Sequence, residues 1–135
     1  DNGTKISLAD LRGKSVILYF YPKDMTPGCT LQACAFRDAS ADFKKKKAVV
    51  LGVSRDAVSR HEAFRDKYEL SFPLLSDEKG KVCEAYGVWK EKSMYGRKYM
   101  GIERTTFVIA PDGKIKKVFP KVSVTGHVDE VFAAI

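Results

Sequence analysis

Three cysteines, Cys29, Cys34 and Cys83, are the strongest chemical candidates in this sequence. An odd, low count is not a secreted disulfide framework, and in a reducing compartment a close pair reads as catalytic or metal-binding. The close pair sits in the segment PKDMTPGCTLQAC, residues 22–34. Residues 23–28 are a loop by composition, and a helical pattern starts at Cys29. In the first turn of a helix, unpaired N–H groups and the positive end of the dipole favour a thiolate. A thiol with an ordinary pKa of ~8.5 is a few per cent ionised near neutrality. Lowering that pKa to ~6 gains roughly 30-fold, about 2 kcal/mol. Faster chemistry needs groups that stabilise the transition state. Thr26, three residues before Cys29, has a hydroxyl able to reach the sulfur or a substrate oxygen across the loop; its plainer role is to shape the turn. Arg104 stands at the mouth of the apolar run TTFVI, residues 105–109. It is either a surface arginine or the guanidinium that holds a thiolate and the charge on a leaving oxygen.

Cys34 follows Cys29 by five residues. In an α-helix that spacing turns the side chains ~140° apart and separates the Cα atoms by about 8.7 Å. A disulfide needs Cα atoms within roughly 7 Å. Cys34 is therefore a small core residue, or a partner that Cys29 meets only if the first turns unwind.

The elements that must hold these residues follow from hydrophobic period. The run SVILYFY at 15–21 predicts a strand buried on both faces, ended by Pro22. Residues 29–45 predict a helix with Phe36, Ala39 and Phe43 on one side. AVVLGV at 48–53 predicts a second buried strand. Ser54 or Asp56 is the expected cap of a helix carrying Val58, Phe64 and Tyr68. Residues 72–75 form a short apolar piece, and 77–86 a short helix stopped by Gly87. Strands at 105–110 and 114–119 flank the turn Pro111-Asp112-Gly113. A last helix at 128–135 carries Val128, Val131, Phe132 and Ile135. The order β-α-β-α-β-α-β-β-α predicts an α/β, thioredoxin-like fold with a mixed central sheet flanked by helices.

With 135 residues, 44% apolar and 30% charged, the chain fits one domain over residues 1–135. The longest apolar stretch is far below the ~18 residues of a membrane span. No signal peptide is visible. The start Asp1-Asn2-Gly3, without Met, implies that N-terminal residues are missing. The net charge of +7 raises the question of an anionic partner. The one dense run, the four lysines at 44–47, reads as the solvated end of a helix, without the interleaved aromatics of a nucleic-acid site. A thioredoxin-type oxidoreductase would need C-x-x-C, and zinc would need paired ligand spacing; neither is present. His61 and His127 read as surface or capping residues, and Cys83 as a small buried helix residue.

Tyr19-Phe20-Tyr21-Pro22, Thr26-Pro27-Gly28-Cys29-Thr30 and Ala33-Cys34-Ala35-Phe36-Arg37-Asp38 together resemble a peroxiredoxin. They look specifically like the peroxiredoxin Q or bacterioferritin comigratory protein subfamily. Pro22, Thr26 and Cys29 match the family signature in full. Gly101-Ile102-Glu103-Arg104-Thr105-Thr106-Phe107 resembles the segment that carries the family's active-site arginine. The resemblance covers nearly the whole chain from Gly3. It implies a thiol-dependent peroxidase in which Cys29 attacks the peroxide and becomes a sulfenic acid. It further implies that Thr26 and Arg104 orient the peroxide, Pro22 shields the pocket, and Cys34 resolves the sulfenic acid as a disulfide. Thioredoxin or a similar dithiol would recycle it. No cofactor, metal, membrane or nucleic acid is implied. Subfamily analogy implies a monomer. Bacterial cytoplasm is the default compartment, an organelle such as the chloroplast the alternative. Gln32 stands where many relatives carry Glu, a change expected to touch no essential role.

Overall fold

The computed structural model describes residues 11–135; the expected domain start at Asp1 lies outside them. The apolar run becomes β1 (Ser15–Phe20), the middle strand of a five-stranded sheet. It pairs in parallel with β2 (Ala48–Ser54). Its other edge pairs antiparallel with β6 (Thr105–Ile109). β3 (Leu74–Ser76) adds in parallel outside β2, and β7 (Ile115–Phe119) adds antiparallel outside β6. The order β3-β2-β1-β6-β7 is the mixed, thioredoxin-like sheet that the sequence predicts.

Both faces of β1 are buried, which is why the run is continuous rather than alternating. Ile17, Tyr19 and Tyr21 enter one core with Phe36, Phe43, Phe64 and Val131. Those residues come from α1 (Pro27–Asp38), α2 (Ser40–Lys45), α3 (Val58–Tyr68) and α5 (His127–Ala134). Val16, Leu18 and Phe20 enter the other core with Leu51, Val88 and Ile102. Cys83 joins that core from the short α4 (Lys81–Ala85), fully buried as expected. Tyr19 stacks on Phe36 with ring centroids 4.8 Å apart. Gly52, its partner across the ladder, leaves room for that ring: a Cβ there would lie 3.0 Å from the Tyr19 hydroxyl. No described helix is long and apolar enough to cross a membrane.

Several expectations need correcting. The helix expected over 29–45 is two helices, broken at Ala39 (φ −93°, ψ 1°), and Phe36 and Phe43 both lie in the core. The four lysines do close the second of them. Neither Ser54 nor Asp56 caps α3, whose N-cap is Ala57 with no side-chain bond. Ser54 instead donates to Asp56 Oδ2 at 2.7 Å. His61 and His127 are not surface residues: they are 0% and 2% exposed. His127 Nε2 contacts Thr106 Oγ1 at 2.8 Å, and burial pulls its pKa below the usual histidine range. The sequence reading also missed a hairpin, β4 (Trp89–Met94) with β5 (Arg97–Ile102), forming a separate two-stranded sheet. Its two-residue turn puts Tyr95 and Gly96 at φ 51° and 78°, as a type I′ turn requires.

Candidate active site

Pro22 ends β1 and begins a loop that delivers the chain to α1. Thr26 is the N-cap of that helix (φ −76°, ψ 151°), and Pro27 occupies its first turn, where a missing N–H costs nothing. The Thr26 hydroxyl donates to Lys23 O at 2.8 Å rather than capping the helix or meeting the sulfur. The first helical bond runs from Thr30 N–H to Thr26 O at 2.8 Å. The N–H groups of Gly28 and Cys29 precede it, so the helix start keeps its donors for whatever lies in front.

Cys29 is in the first turn, as expected, and 1% exposed. Arg104, from the segment between β5 and β6, spans to it: Nη2 donates to Cys29 Sγ at 3.3 Å. Its Nη1 donates to Gln32 Oε1 at 2.5 Å. Seventy-odd residues of chain are thus closed by antiparallel β1–β6 pairing, which brings Phe20 opposite Thr105. Gln32 is fully buried one turn after Cys29. Its carbonyl oxygen accepts from the guanidinium that reaches the sulfur, a contact the sequence reading did not anticipate. Its Nε2 has no partner among the described residues.

Gly28 admits that guanidinium. A Cβ there would lie 3.2 Å from Arg104 Nη2, tighter than normal contact. Gly28→Ala should therefore separate stability from reactivity. Removing a helix glycine favours the fold by about 0.5–1 kcal/mol. Displacing the guanidinium by a few tenths of an ångström should slow peroxide-driven oxidation of Cys29 about 3–10-fold. Urea midpoints and stopped-flow oxidation rates check the two signs; a rate equal to that of the parent would show that Arg104 adjusts freely.

Cys34 lies in the same unbroken α1, half-buried, and all three cysteines are free thiols. Burial first, then the neighbouring Asp77 carboxylate, pushes the Cys83 thiol up to about 12, so it stays protonated and poorly nucleophilic near neutrality. Tyr19 lies close enough to Cys29 to feel it: burial, then the sulfur's charge, holds its phenol well above the usual range. Lys92 is a neighbour that sequence reading missed, carried in by the hairpin. Burial, helped by the positive Arg104, lowers its pKa, against the opposing pull of Cys29. Pro22 lines a groove of about 400 Å³ with Lys23, Arg55, Trp89, Lys92 and Tyr99. The larger groove of about 710 Å³, beside Lys14, Lys44 and Phe72, includes none of these site residues.

Among the described residues, one trio of metal-ligand types converges: Asp24, Asp56 and His61, with ligand atoms within 4.8 Å of one another. These atoms are engaged inside the protein. Asp24 Oδ2 meets His61 Nδ1, and Asp56 Oδ2 accepts from Asp24 N–H and Ser54 Oγ. The trio is a hydrogen-bonded network rather than an open site.

A thioredoxin-like sheet with an arginine-bonded cysteine at the first helix start defines a class of thiol proteins. The pattern of the AhpC/TSA family matches residues 1–118. A Coxiella burnetii protein is 57% identical over 97% of this chain and 87% of its own length. Peroxiredoxin Bcp of Bacillus subtilis is 47% identical over 100% of this chain and 86% of its own. The bacterioferritin comigratory protein of Xanthomonas campestris, solved in work on its alkyl peroxide reduction activity, superposes with a TM-score of 0.93. It is 45% identical and covers 98% of this chain and 84% of that one. This chain belongs to the AhpC/TSA family, in its Bcp/peroxiredoxin Q branch.

Proposed function

We propose that this protein reduces hydrogen peroxide and organic hydroperoxides with Cys29 as the attacking thiolate. The observation that carries this reading is the Arg104 Nη2 to Cys29 Sγ bond at a helix start. A guanidinium donor aimed at the sulfur holds negative charge there and stands beside the oxygen that must leave. The thiolate attacks the near peroxide oxygen, the O–O bond breaks, and the leaving oxygen departs as water or an alcohol once protonated. The sulfur is left as a sulfenic acid. Thr26 Oγ1, its proton given to Lys23 O, accepts a hydrogen bond from the peroxide at the N-cap, the uncommitted N–H groups of the first turn add donors, and Pro22 limits water at the pocket.

Cys34 then condenses with the sulfenic acid, releasing water and forming a disulfide. An external dithiol of the thioredoxin kind takes up the disulfide by exchange and is itself oxidised. While α1 is intact the two Cα atoms sit about 8.7 Å apart by helix geometry, too far for the bond. The first turns must open in each cycle, and an uncapped start makes them the part of α1 with least to lose. A bond within one chain needs no second subunit, which supports a monomer. The bacterial relatives support a cytoplasmic setting.

Intact mass and peptide mapping after one equivalent of hydrogen peroxide test the reading. Loss of two hydrogens mapped to Cys29 and Cys34 is expected. In Cys34→Ser the reaction should stop at one added oxygen on Cys29, trapped by a sulfenic-acid reagent. A Cys29–Cys83 link would keep the peroxidase and replace the resolving residue. An unoxidised Cys29 in folded protein would sink the enzyme reading.

A further inference from the structure

Asp24 is 0% exposed in the middle of the short loop that carries Pro22 and Thr26, while its neighbour Lys23 is exposed. Every polar group of Asp24 has a partner, and all but the Tyr21 hydroxyl come from beyond the loop. Its Oδ1 accepts from the Tyr21 hydroxyl at 2.5 Å, and its Oδ2 meets His61 Nδ1 at 2.5 Å. Its N–H donates to Asp56 Oδ2 at 2.8 Å, and its C=O accepts from Arg60 Nη2 at 3.2 Å. His61, on α3, is itself 0% exposed, and its Nε2 faces Leu75 O at 3.0 Å in β3. A carbonyl only accepts, so Nε2 donates to it, and the Nδ1 side of the ring faces Asp24 Oδ2. The next residue, Met25, has φ 65°, a conformation a side chain disfavours unless its surroundings impose it. Thr26 then closes back on Lys23 O.

Filling this volume with apolar side chains is often as stabilising as burying a polar pair. What the pair adds is direction: it fixes the loop to α3 and β3, two residues from Pro22 on one side and two from Thr26 on the other. Sequence reading found neither residue, because a lone Asp in a loop and a lone His in a helix carry no spacing signal.

We infer that Asp24 and His61 are positioning residues, holding loop 22–26 so that Thr26 and Pro22 meet the peroxide as it approaches Cys29. They set the peroxide-specific part of the rate and leave the thiol's general reactivity alone. This rests on the peroxidase reading above.

Two rate constants for Cys29 test it, one with hydrogen peroxide and one with iodoacetamide, which needs neither Thr26 nor Pro22. In the parent chain the peroxide constant should exceed the alkylation constant by orders of magnitude; if the two are comparable, the peroxidase reading fails instead. His61→Gln can still reach Leu75 O but leaves Asp24 Oδ2 without its partner. His61→Asn places a donor where Nδ1 stands and keeps Asp24 held. His61→Gln should lower the peroxide constant about 10-fold or more, with alkylation within about twofold, since small misplacements are costly in rate. His61→Asn should recover most of that loss. Equal falls in both constants, or an unchanged peroxide constant in folded His61→Gln, would overturn the inference. Should His61→Gln not fold, Arg60→Ala carries the test, because it removes only partly exposed side-chain bonds, to the Asp24 carbonyl and to Asp56. A fall in the peroxide constant alone, by about 2–5-fold, is then expected, and no fall overturns the inference.

Discussion

Cys29→Ser should keep the fold and abolish peroxide consumption, with a fall of about 10³-fold or more, as loss of a sole nucleophile does. The replacement hydroxyl occupies the same buried first-turn position and still accepts from Arg104, so stability should change by only about 1 kcal/mol. A hydroxyl is not ionised near neutrality, and neither histidine is free to take its proton: His61 is committed to Asp24 and Leu75 O, His127 to Thr106. Peroxide loss followed in stopped flow, beside a urea midpoint, reads both quantities. Residual consumption within about tenfold of the parent would move the chemistry to another thiol, well outside the loss a missing nucleophile brings. Cys83 is a poor substitute, since burial keeps it a thiol with its pKa pushed up to about 12.

Arg104→Ala should lower the second-order constant for peroxide by about 10²–10³-fold, the usual effect of deleting one donor to a developing oxyanion, about 2.7–4 kcal/mol. Its structural cost is separate. The Gln32 amide already lacks a partner for Nε2 among the described residues, and losing Arg104 strips Oε1 as well. That unsatisfied carbonyl should destabilise the fold by about 1–3 kcal/mol. Arg104→Lys tests geometry against charge. An ammonium keeps the charge, but a single point donor cannot serve Sγ and Oε1 together as the guanidinium does. A Lys variant near the Ala variant would show that the fork matters; one near the parent would show that charge suffices. A folded Arg104→Ala within about threefold of the parent would remove the arginine from the transition state altogether.

The site divided unevenly between what was legible and what was not. Pro22, Thr26, Cys29 and Cys34 lie within thirteen residues, where helix and loop geometry alone relate them. Arg104 was readable as a candidate but not as a neighbour, because its approach depends on β6 lying against β1 in one register. Gln32 looked like a neutral exchange because no local rule says which side of α1 meets a distant arginine. The hairpin β4–β5 escaped notice for a different reason. β4 carries two lysines and a glutamate, β5 is mostly exposed, and the Tyr95-Gly96 turn lacks the usual Asn-Gly or Asp-Gly pair. The break at Ala39 falls inside an apolar spacing that runs on unbroken, so period alone gave no sign of it.

By itself, the sequence determined the buried middle strand, the order of the strands of the main sheet along the chain and the cysteine at a helix start. These follow from period, turn chemistry and chain direction, all of which act over a few residues. Only the tertiary structure decided that Arg104 and Gln32 form one unit with Cys29, that Lys92 comes near, and that His61 locks Asp24. Those contacts join residues 37 to 75 positions apart, and strand register and burial select them from many partners that the sequence leaves equal.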